Sequence, residues 1–281
     1  MTAPPLLSAG ELAGGVGAAR LIDARGGGGE AYTLGHLPGA VFADLERDLA
    51  RPRDPRRGGR HPLPGVGDWC RTLGDWGIGP STRVVVYDAA AGANAAARAW
   101  WMLRAVGHEA VTVLDGGLQA AIEAGVPTTT EVPVIDRLPP YPTPFGARWG
   151  LPLASAEQVD ESRLDPDRCL LDVRAEFRYR GESDPFDPVP GHIPGAVNLP
   201  YAASLDAVGR FRPPEALRAQ FESRLLGRAP GQTTVYCGSG VTACHTLLAM
   251  AHAGLEGGIL YAGSWSEWCR SDRPRATLVR G

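Results

Sequence analysis

The chain has 281 residues, of which 44% are hydrophobic, enough for about two domains with cores of their own. Its formal net charge of −3 argues against the basic surface that nucleic acids and anionic membranes select. The five cysteines are sparse and lack metal-ligand spacing, and the sequence shows neither a secretory signal nor a membrane-spanning apolar run. We therefore expect a cytoplasmic protein that binds neither nucleic acid nor membrane.

In the first half of the chain, short apolar segments alternate with longer segments of helical periodicity. They predict strands near residues 20–24, 83–88 and 110–115, and helices near residues 66–77, 94–106 and 117–124. Such alternation is typical of α/β domains, in which helices cover both faces of a parallel sheet.

Two parts of the sequence repeat each other after about 150 residues. Gly-His-Leu-Pro-Gly-Ala at 35–40 returns as Gly-His-Ile-Pro-Gly-Ala at 191–196, and the apolar run at 83–88 returns at 233–237. The stretch between the copies is rich in proline, which is typical of an extended linker. The sequence thus predicts two duplicated α/β domains and a connection, over residues 1–126, 153–281 and 127–152.

The most informative stretch surrounds Cys237. A β-branched run at 233–236 leads into this cysteine, Gly238 and Gly240 follow, and a helical pattern begins at 241. The glycines allow the backbone to curl so that its N–H groups point into one concavity, and the helix adds the positive end of its dipole. Because this environment favours a thiolate, Cys237 is predicted to be a nucleophile.

The first copy carries Asp88 at the position that corresponds to Cys237. A carboxylate cannot replace the thiol as a sulfur nucleophile, and the loop at 89–93 lacks the Gly-x-Gly spacing. We therefore predict that only the second domain is catalytic and that the domain over 1–126 is inactive.

Other interpretations of the Cys237 loop fit less well. A Cys-x5-Arg phosphatase needs an arginine where this chain has Ala243. Residues 238–243 match the dinucleotide pattern G-x-G-x-x-A, but they fall late in their domain. A buried cysteine that packs as a small hydrophobic residue is the remaining alternative. We expect that role for the other four cysteines, which are Cys70, Cys169, Cys244 and Cys269.

Over nearly its whole length, the chain resembles tandem-domain sulfurtransferases of the rhodanese family. The resemblance is carried by the repeated Gly-His-x-Pro-Gly-Ala motif, the Cys237 loop, and further motifs at 100–105, 114–118 and 263–268. Thiosulfate sulfurtransferases typically have two basic residues after the cysteine. The Cys-Gly-Ser-Gly-Val-Thr loop of this chain is instead similar to that of 3-mercaptopyruvate sulfurtransferases.

The resemblance implies two rhodanese-like α/β domains and a two-step sulfur relay. Cys237 would take sulfur from 3-mercaptopyruvate as a persulfide, and a thiol or cyanide would remove it, with no metal or organic cofactor. The acceptor would be a small thiol or a thioredoxin-like protein. The alternatives are a thiosulfate:cyanide sulfurtransferase and a non-catalytic persulfide carrier.

The resemblance also implies the residues of the site. A substrate thiol must lose its proton during transfer, and a hydroxyl backed by a base can accept it. The catalytic residues implied in this way are Cys237, Ser239, His36 and Asp23. Backbone N–H groups of the loop would hold the sulfur, at Gly238, Gly240, Val241 and Thr242.

Arg178 corresponds to the arginine with which the family binds the substrate carboxylate, and a guanidinium fork suits that group. A second arginine is common nine residues later, where this chain has Asp187. Arg180 is the nearby cation that could take its place.

Overall fold

The computed structural model describes residues 3–15, 17, 19–51, 54–93 and 95–278. The chain forms two compact units. The first comprises Met1–Ala50, Pro64–Gly150 and Ala207–Phe211, and the second comprises Arg51–Leu63, Leu151–Asp206 and Arg212–Gly281. Each unit therefore takes a short segment from the other half of the sequence. The boundaries predicted from the sequence place residues 51–63, an arginine- and proline-rich segment, in the first domain.

The first unit is built on a five-stranded parallel sheet with the order β1-β5-β4-β2-β3. Its strands are β1 (Leu6–Leu7), β2 (Arg20–Asp23), β3 (Val41–Phe42), β4 (Val84–Tyr87) and β5 (Val111–Leu114). Its helices are α1 (Ala9–Ala13), α2 (Glu30–Leu34), α3 (Val66–Asp75), α4 (Ala96–Ala105) and α5 (Gly117–Glu123).

These elements follow from their sequences. Every residue of β4 and β5 is buried, as expected for apolar, β-branched strands in the middle of a parallel sheet. In α3, Val66, Trp69 and Leu73 recur at helical spacing and form its buried face. The predicted strands and helices of this half all lie within about two residues of the observed ones.

The second unit has a four-stranded parallel sheet with the order β7-β6-β8-β9. Its strands are β6 (Cys169–Asp172), β7 (Val197–Asn198), β8 (Thr233–Tyr236) and β9 (Ile259–Leu260). Its α-helices are α6 (Ala156–Ser162), α7 (Glu176–Arg180), α8 (Pro214–Leu225), α9 (Val241–His252) and α10 (Ser264–Trp268). Leu153 forms a parallel bridge to Leu260, much as β1 pairs with β5 in the first unit. The predicted α/β fold is thus confirmed in both halves.

The proline-rich segment over 127–152 packs along the first unit for most of its length. The amide of Leu138 donates to the carbonyl of Gly74 at 2.8 Å, and the amide of Gly150 donates to that of Ala105 at 2.7 Å. A side chain at Gly74 would collide with the Leu138 carbonyl, since a Cβ there would lie 2.6 Å from it.

In the described ranges, no helix is both long and apolar enough to cross a membrane.

Asp88 occupies the loop that follows β4. Among the described residues, its buried carboxylate accepts backbone N–H groups from Ala90 at 2.8 Å, Gly92 at 2.9 Å, and Ala95 and Ala96 at 3.2 Å each. The Asp88 carboxylate therefore occupies the anion-binding concavity that its own loop forms.

Replacing Asp88 with asparagine tests this structural role. The side-chain amide cannot accept the hydrogen bonds that one carboxylate oxygen now receives, so buried N–H groups are left unpaired. We expect the free energy of unfolding to fall by about 1–3 kcal/mol in chemical denaturation. Sulfur transfer by the folded variant should change little, and a loss of transfer as complete as that caused by removing the Cys237 thiol would contradict the inactive first domain.

Candidate active site

Cys237 directly follows β8 and is 2% exposed. Its position is set by hydrogen bonds to the first turn of α10. The Cys237 amide donates to Ser264 Oγ at 3.1 Å, and its carbonyl accepts from the Trp265 amide at 3.0 Å. The carbonyl of Gly238 accepts from the Ser266 amide at 2.8 Å. Both peptide units at the start of the loop are therefore held in place.

Gly240 gives the loop its curvature. Its φ of +77° is left-handed, and a Cβ at this position would lie 2.4 Å from the carbonyl oxygen of Ala262, so only glycine fits. The Gly240 amide donates to Cys237 Sγ at 3.1 Å. The helix α9 begins at the next residue, Val241, and Thr242 is its second residue. One N–H group of the predicted concavity thus points at the sulfur.

Gly238 has a different role from the one expected. Its φ is not positive, so the curvature of the loop does not require glycine at this position. A Cβ on Gly238 would lie 3.1 Å from Nη2 of Arg178 and 3.3 Å from Nη2 of Arg60. Glycine at this position therefore leaves room for two guanidinium groups beside Cys237.

Ser239 has an imidazole neighbour within its own unit. Nδ1 of His61 lies 2.7 Å from the Oγ of Ser239, and the serine is buried. His61 belongs to Arg51–Leu63, the segment that folds into the second unit. His61 was not predicted from the sequence, because its segment has no periodicity and the residue lies 178 positions from Ser239. A histidine in an irregular, proline-flanked stretch was the available signal.

His36 is fixed by contacts within the first unit. Its fully buried ring stacks on Tyr32 with centroids 3.7 Å apart. Nδ1 lies 2.9 Å from the carbonyl oxygen of Tyr32, and Nε2 lies 3.1 Å from that of Glu131. In the second unit, His192 stacks on Tyr179 and contacts its carbonyl in the same way. The histidines of the repeated motif thus hold equivalent turns.

The ion pair of Asp23 also has a counterpart in the second unit. It accepts from Arg25 Nε at 2.9 Å and Nη2 at 2.7 Å, and Asp172 pairs with Arg174 in the corresponding loop. Since both copies contain these pairs, they belong to the common frame. Within the second unit, His61 is an observed neighbour of Ser239, and the grouping of Ser239 with His36 and Asp23 stays a prediction.

Asp187 is the centre of a cluster of arginines. Its side chain is fully buried and accepts from Arg60 Nη1 at 2.5 Å, Arg270 Nη1 at 2.8 Å and Arg178 Nη2 at 3.4 Å. Arg178 also pairs with Asp184, at 3.0 Å. The aspartate that replaces the expected second arginine thus gathers three cations.

Arg180 does not belong to this cluster. Its exposed side chain pairs with Glu182 at 2.9 Å and with Glu176 at 3.7 Å. The sequence-based suggestion that Arg180 takes the place of the second arginine is therefore not supported by its contacts.

The other four cysteines are buried. Burial raises the pKa of the thiols of Cys70 and Cys169. Burial and the neighbouring Asp187 raise the pKa of Cys269. The thiol of Cys244 donates to the carbonyl of Gly240 at 3.3 Å. These contacts support the structural role expected for the four residues.

The rhodanese-like domain model matches the chain twice, at residues 8–124 and 155–271. A probable 3-mercaptopyruvate sulfurtransferase of Pseudomonas aeruginosa is 45% identical over 257 residues, covering 89% of this chain and 87% of that protein. A thiosulfate sulfurtransferase of Mus musculus is 37% identical, covering 89% and 82%. The solved structure of 3-mercaptopyruvate sulfurtransferase from Leishmania major has a TM-score of 0.82 and 29% identity, covering 94% and 73%. The chain therefore belongs to the rhodanese family, as a sulfurtransferase with two rhodanese-like domains.

Proposed function

We propose that the chain transfers sulfur from 3-mercaptopyruvate to a thiol or cyanide through a persulfide on Cys237. The observation that carries this proposal is the arrangement at the end of β8. The Gly240 amide donates to the cysteine sulfur, and the Ser239 hydroxyl, two residues after the cysteine, contacts an imidazole. A nucleophile and a group that moves protons thus lie on one short loop.

In the first half-reaction, the Cys237 thiolate attacks the sulfur of the donor. The new S–S bond forms as the C–S bond breaks, and its electron pair leaves on the methylene carbon as the enolate of pyruvate. The donor thiol loses its proton and the enolate carbon gains one. The Ser239–His61 pair carries this proton, with Ser239 relaying between substrate and imidazole. The Gly240 amide stabilises the negative outer sulfur of the persulfide, as do the N–H groups of Val241 and Thr242.

In the second half-reaction, an acceptor attacks the outer sulfur and the Cys237 thiolate leaves. Cyanide gives thiocyanate, and a thiolate gives a new persulfide. We infer that the acceptor in the cell is a small thiol or a thioredoxin-like protein. All five cysteines are free, which supports a reducing compartment such as the cytoplasm.

The hydroxyl–imidazole pair of Ser239 and His61 favours 3-mercaptopyruvate over thiosulfate as the donor, because the thiol of 3-mercaptopyruvate carries a proton that the pair can transfer. Thiosulfate has no thiol proton to transfer, so a hydroxyl–imidazole pair would serve no purpose in its reaction. The thiosulfate alternative is kept because relatives of both names match the chain. The carrier alternative predicts a persulfide that small thiols and cyanide do not remove. Values of kcat/KM measured with both donors and both small acceptors distinguish the three functions.

Replacing Cys237 with serine should abolish sulfur transfer from either donor. The substitution is nearly isosteric, but the hydroxyl is a poor sulfur nucleophile at neutral pH. Circular dichroism and the melting temperature should remain close to those of the wild type. Cys70→Ser is the matched control, and it should keep full activity. Residual transfer by the folded Cys237→Ser variant above about one part in a thousand would contradict the assignment of the nucleophile.

Replacing His61 with asparagine should lower kcat/KM for 3-mercaptopyruvate by about 10²–10⁴-fold, the usual contribution of general acid–base catalysis. The loss with thiosulfate should be much smaller, because no donor proton is moved. Ser239→Ala should show the same donor dependence. His36→Asn tests the alternative grouping of Ser239 with His36 and Asp23: if His61 is the base, His36→Asn should reduce thermal stability without changing the ratio of the two kcat/KM values. A donor-specific loss in His36→Asn but not in His61→Asn would reverse the assignment.

A further inference from the structure

Ser264 has an unusual backbone conformation for a residue with a side chain. It is the first residue of α10, it is fully buried, and its φ of +54° lies in the left-handed region. In that region the Cβ of an L-residue crowds the following carbonyl oxygen, so glycine is favoured. Among the residues that the structure describes, only Ala91 and Leu226 share this feature without being glycine. Ser264 is therefore a strained residue beside the Cys237 loop.

The first unit has a glycine at the corresponding position. Its Leu118 amide donates to the carbonyl of Asp88 at 2.9 Å, just as the Trp265 amide donates to the carbonyl of Cys237 at 3.0 Å. Gly117, which precedes Leu118, is therefore the counterpart of the strained serine, and its φ of +63° is also left-handed. The two copies thus share this backbone conformation, but the second has serine where glycine would be unstrained.

The serine hydroxyl makes two hydrogen bonds that glycine cannot make. Ser264 Oγ accepts from the Cys237 amide at 3.1 Å and donates to the carbonyl of Tyr261 at 2.9 Å. Tyr261 is itself held at the sheet, since its amide donates to the carbonyl of Val235 in β8 at 3.0 Å. Because the single hydroxyl proton is directed to Tyr261, a lone pair is directed to the Cys237 amide. Without the hydroxyl, this buried amide would lose its acceptor, which costs more than the bond itself contributes.

Cys237 is held on both sides of its Cα. Ser264 accepts from its amide, and Trp265 donates to its carbonyl oxygen. These two bonds restrict the φ and ψ of the cysteine and with them the direction of its Cα–Cβ bond. The sulfur at the end of the side chain accepts from the Gly240 amide at 3.1 Å. A rotation of the cysteine backbone would therefore lengthen the hydrogen bond to its sulfur.

We propose that Ser264 is a positioning residue for the nucleophile and that its strained backbone is retained because its hydroxyl orients Cys237. The proposal rests on the proposed function for the nucleophilic role of Cys237, and it does not depend on the identity of the donor. Strained residues persist where the surrounding structure holds them, and they cluster at functional sites. The Asp88 loop has no thiol to orient, and there the fold has Gly117 at the corresponding place.

Two substitutions separate the hydroxyl from the strain. Ser264→Ala removes the hydroxyl but keeps a Cβ in the left-handed backbone, whereas Ser264→Gly removes both. We expect each variant to lose about tenfold in the single-turnover rate of sulfur loading on Cys237 and in the rate at which iodoacetamide alkylates this thiol. The melting temperature should fall in the alanine variant, and it should be higher in the glycine variant than in the alanine variant. If Ser264 only supported the fold, the two rates would follow stability and would recover in Ser264→Gly.

Leu226→Gly is the matched control. Leu226 has the same kind of backbone, with a φ of +51°, but it lies at the end of α8 and its side chain is 72% exposed. Relief of strain at this position should raise the melting temperature and leave both rates unchanged.

Alkylation is followed by peptide mass spectrometry at Cys237 and needs no sulfur donor. If the wild type is alkylated but takes sulfur from neither donor, the proposed function fails, and the alkylation rates alone then judge the role of Ser264. Rates within twofold of the wild type in Ser264→Gly, or in folded Ser264→Ala, would overturn the proposal. A glycine variant that does not fold would overturn it as well, because the position would then not favour glycine.

Discussion

The first turn of α10 is the constraint on which the site depends, because it holds two segments that are far apart in the sequence. The Ser266 amide donates to the carbonyl of Gly238, which fixes the Cys237 loop, and Ser266 Oγ accepts from the amide of Arg60. Glu267 accepts from the Gly58 amide at 2.7 Å. The same short helix therefore positions both residues 58–61 and the Cys237 loop. Ser239 meets His61, and Gly238 meets Arg60, as consequences of this shared support.

Comparison of the two copies distinguishes residues that maintain the loops in both units from residues that differ at the candidate active site. Both copies contain an Asp–Arg pair at the end of a strand, β2 in the first unit and β6 in the second, and a stacked histidine in the repeated turn, so these groups maintain the loops of each unit. The loops after β4 and β8 differ. Asp88 fills its loop with its own carboxylate, whereas Cys237 receives one amide hydrogen bond and keeps a sulfur that can react. The corresponding loops thus hold a buried carboxylate in one copy and a thiol in the other, and the thiol is the group that we propose as the nucleophile.

The fold was predictable from the sequence because its signals are local. Buried runs such as Val84–Tyr87 and the apolar spacing of α3 specify strands and helices without knowledge of their partners. The loop that carries Cys237 was predictable for the same reason, since strand, glycine loop and helix are consecutive. The partners of the loop were not, because the contact of His61 with Ser239 joins residues 178 positions apart, and no periodicity reports such a contact. The position of Asp187 alone does not predict the arginines around it, because Arg60 and Arg270, which donate to its carboxylate, are distant in the sequence.

We propose that Cys237 takes sulfur from 3-mercaptopyruvate before any acceptor is involved. The most direct measurement is a single turnover without acceptor, in which released pyruvate is quantified and the protein is analysed by peptide mass spectrometry. We expect one pyruvate for each Cys237 that gains one sulfur atom, a mass increase of about 32 Da, at a rate consistent with kcat. Pyruvate release that requires the acceptor, or added sulfur on Cys244 or Cys269 in place of Cys237, would contradict it.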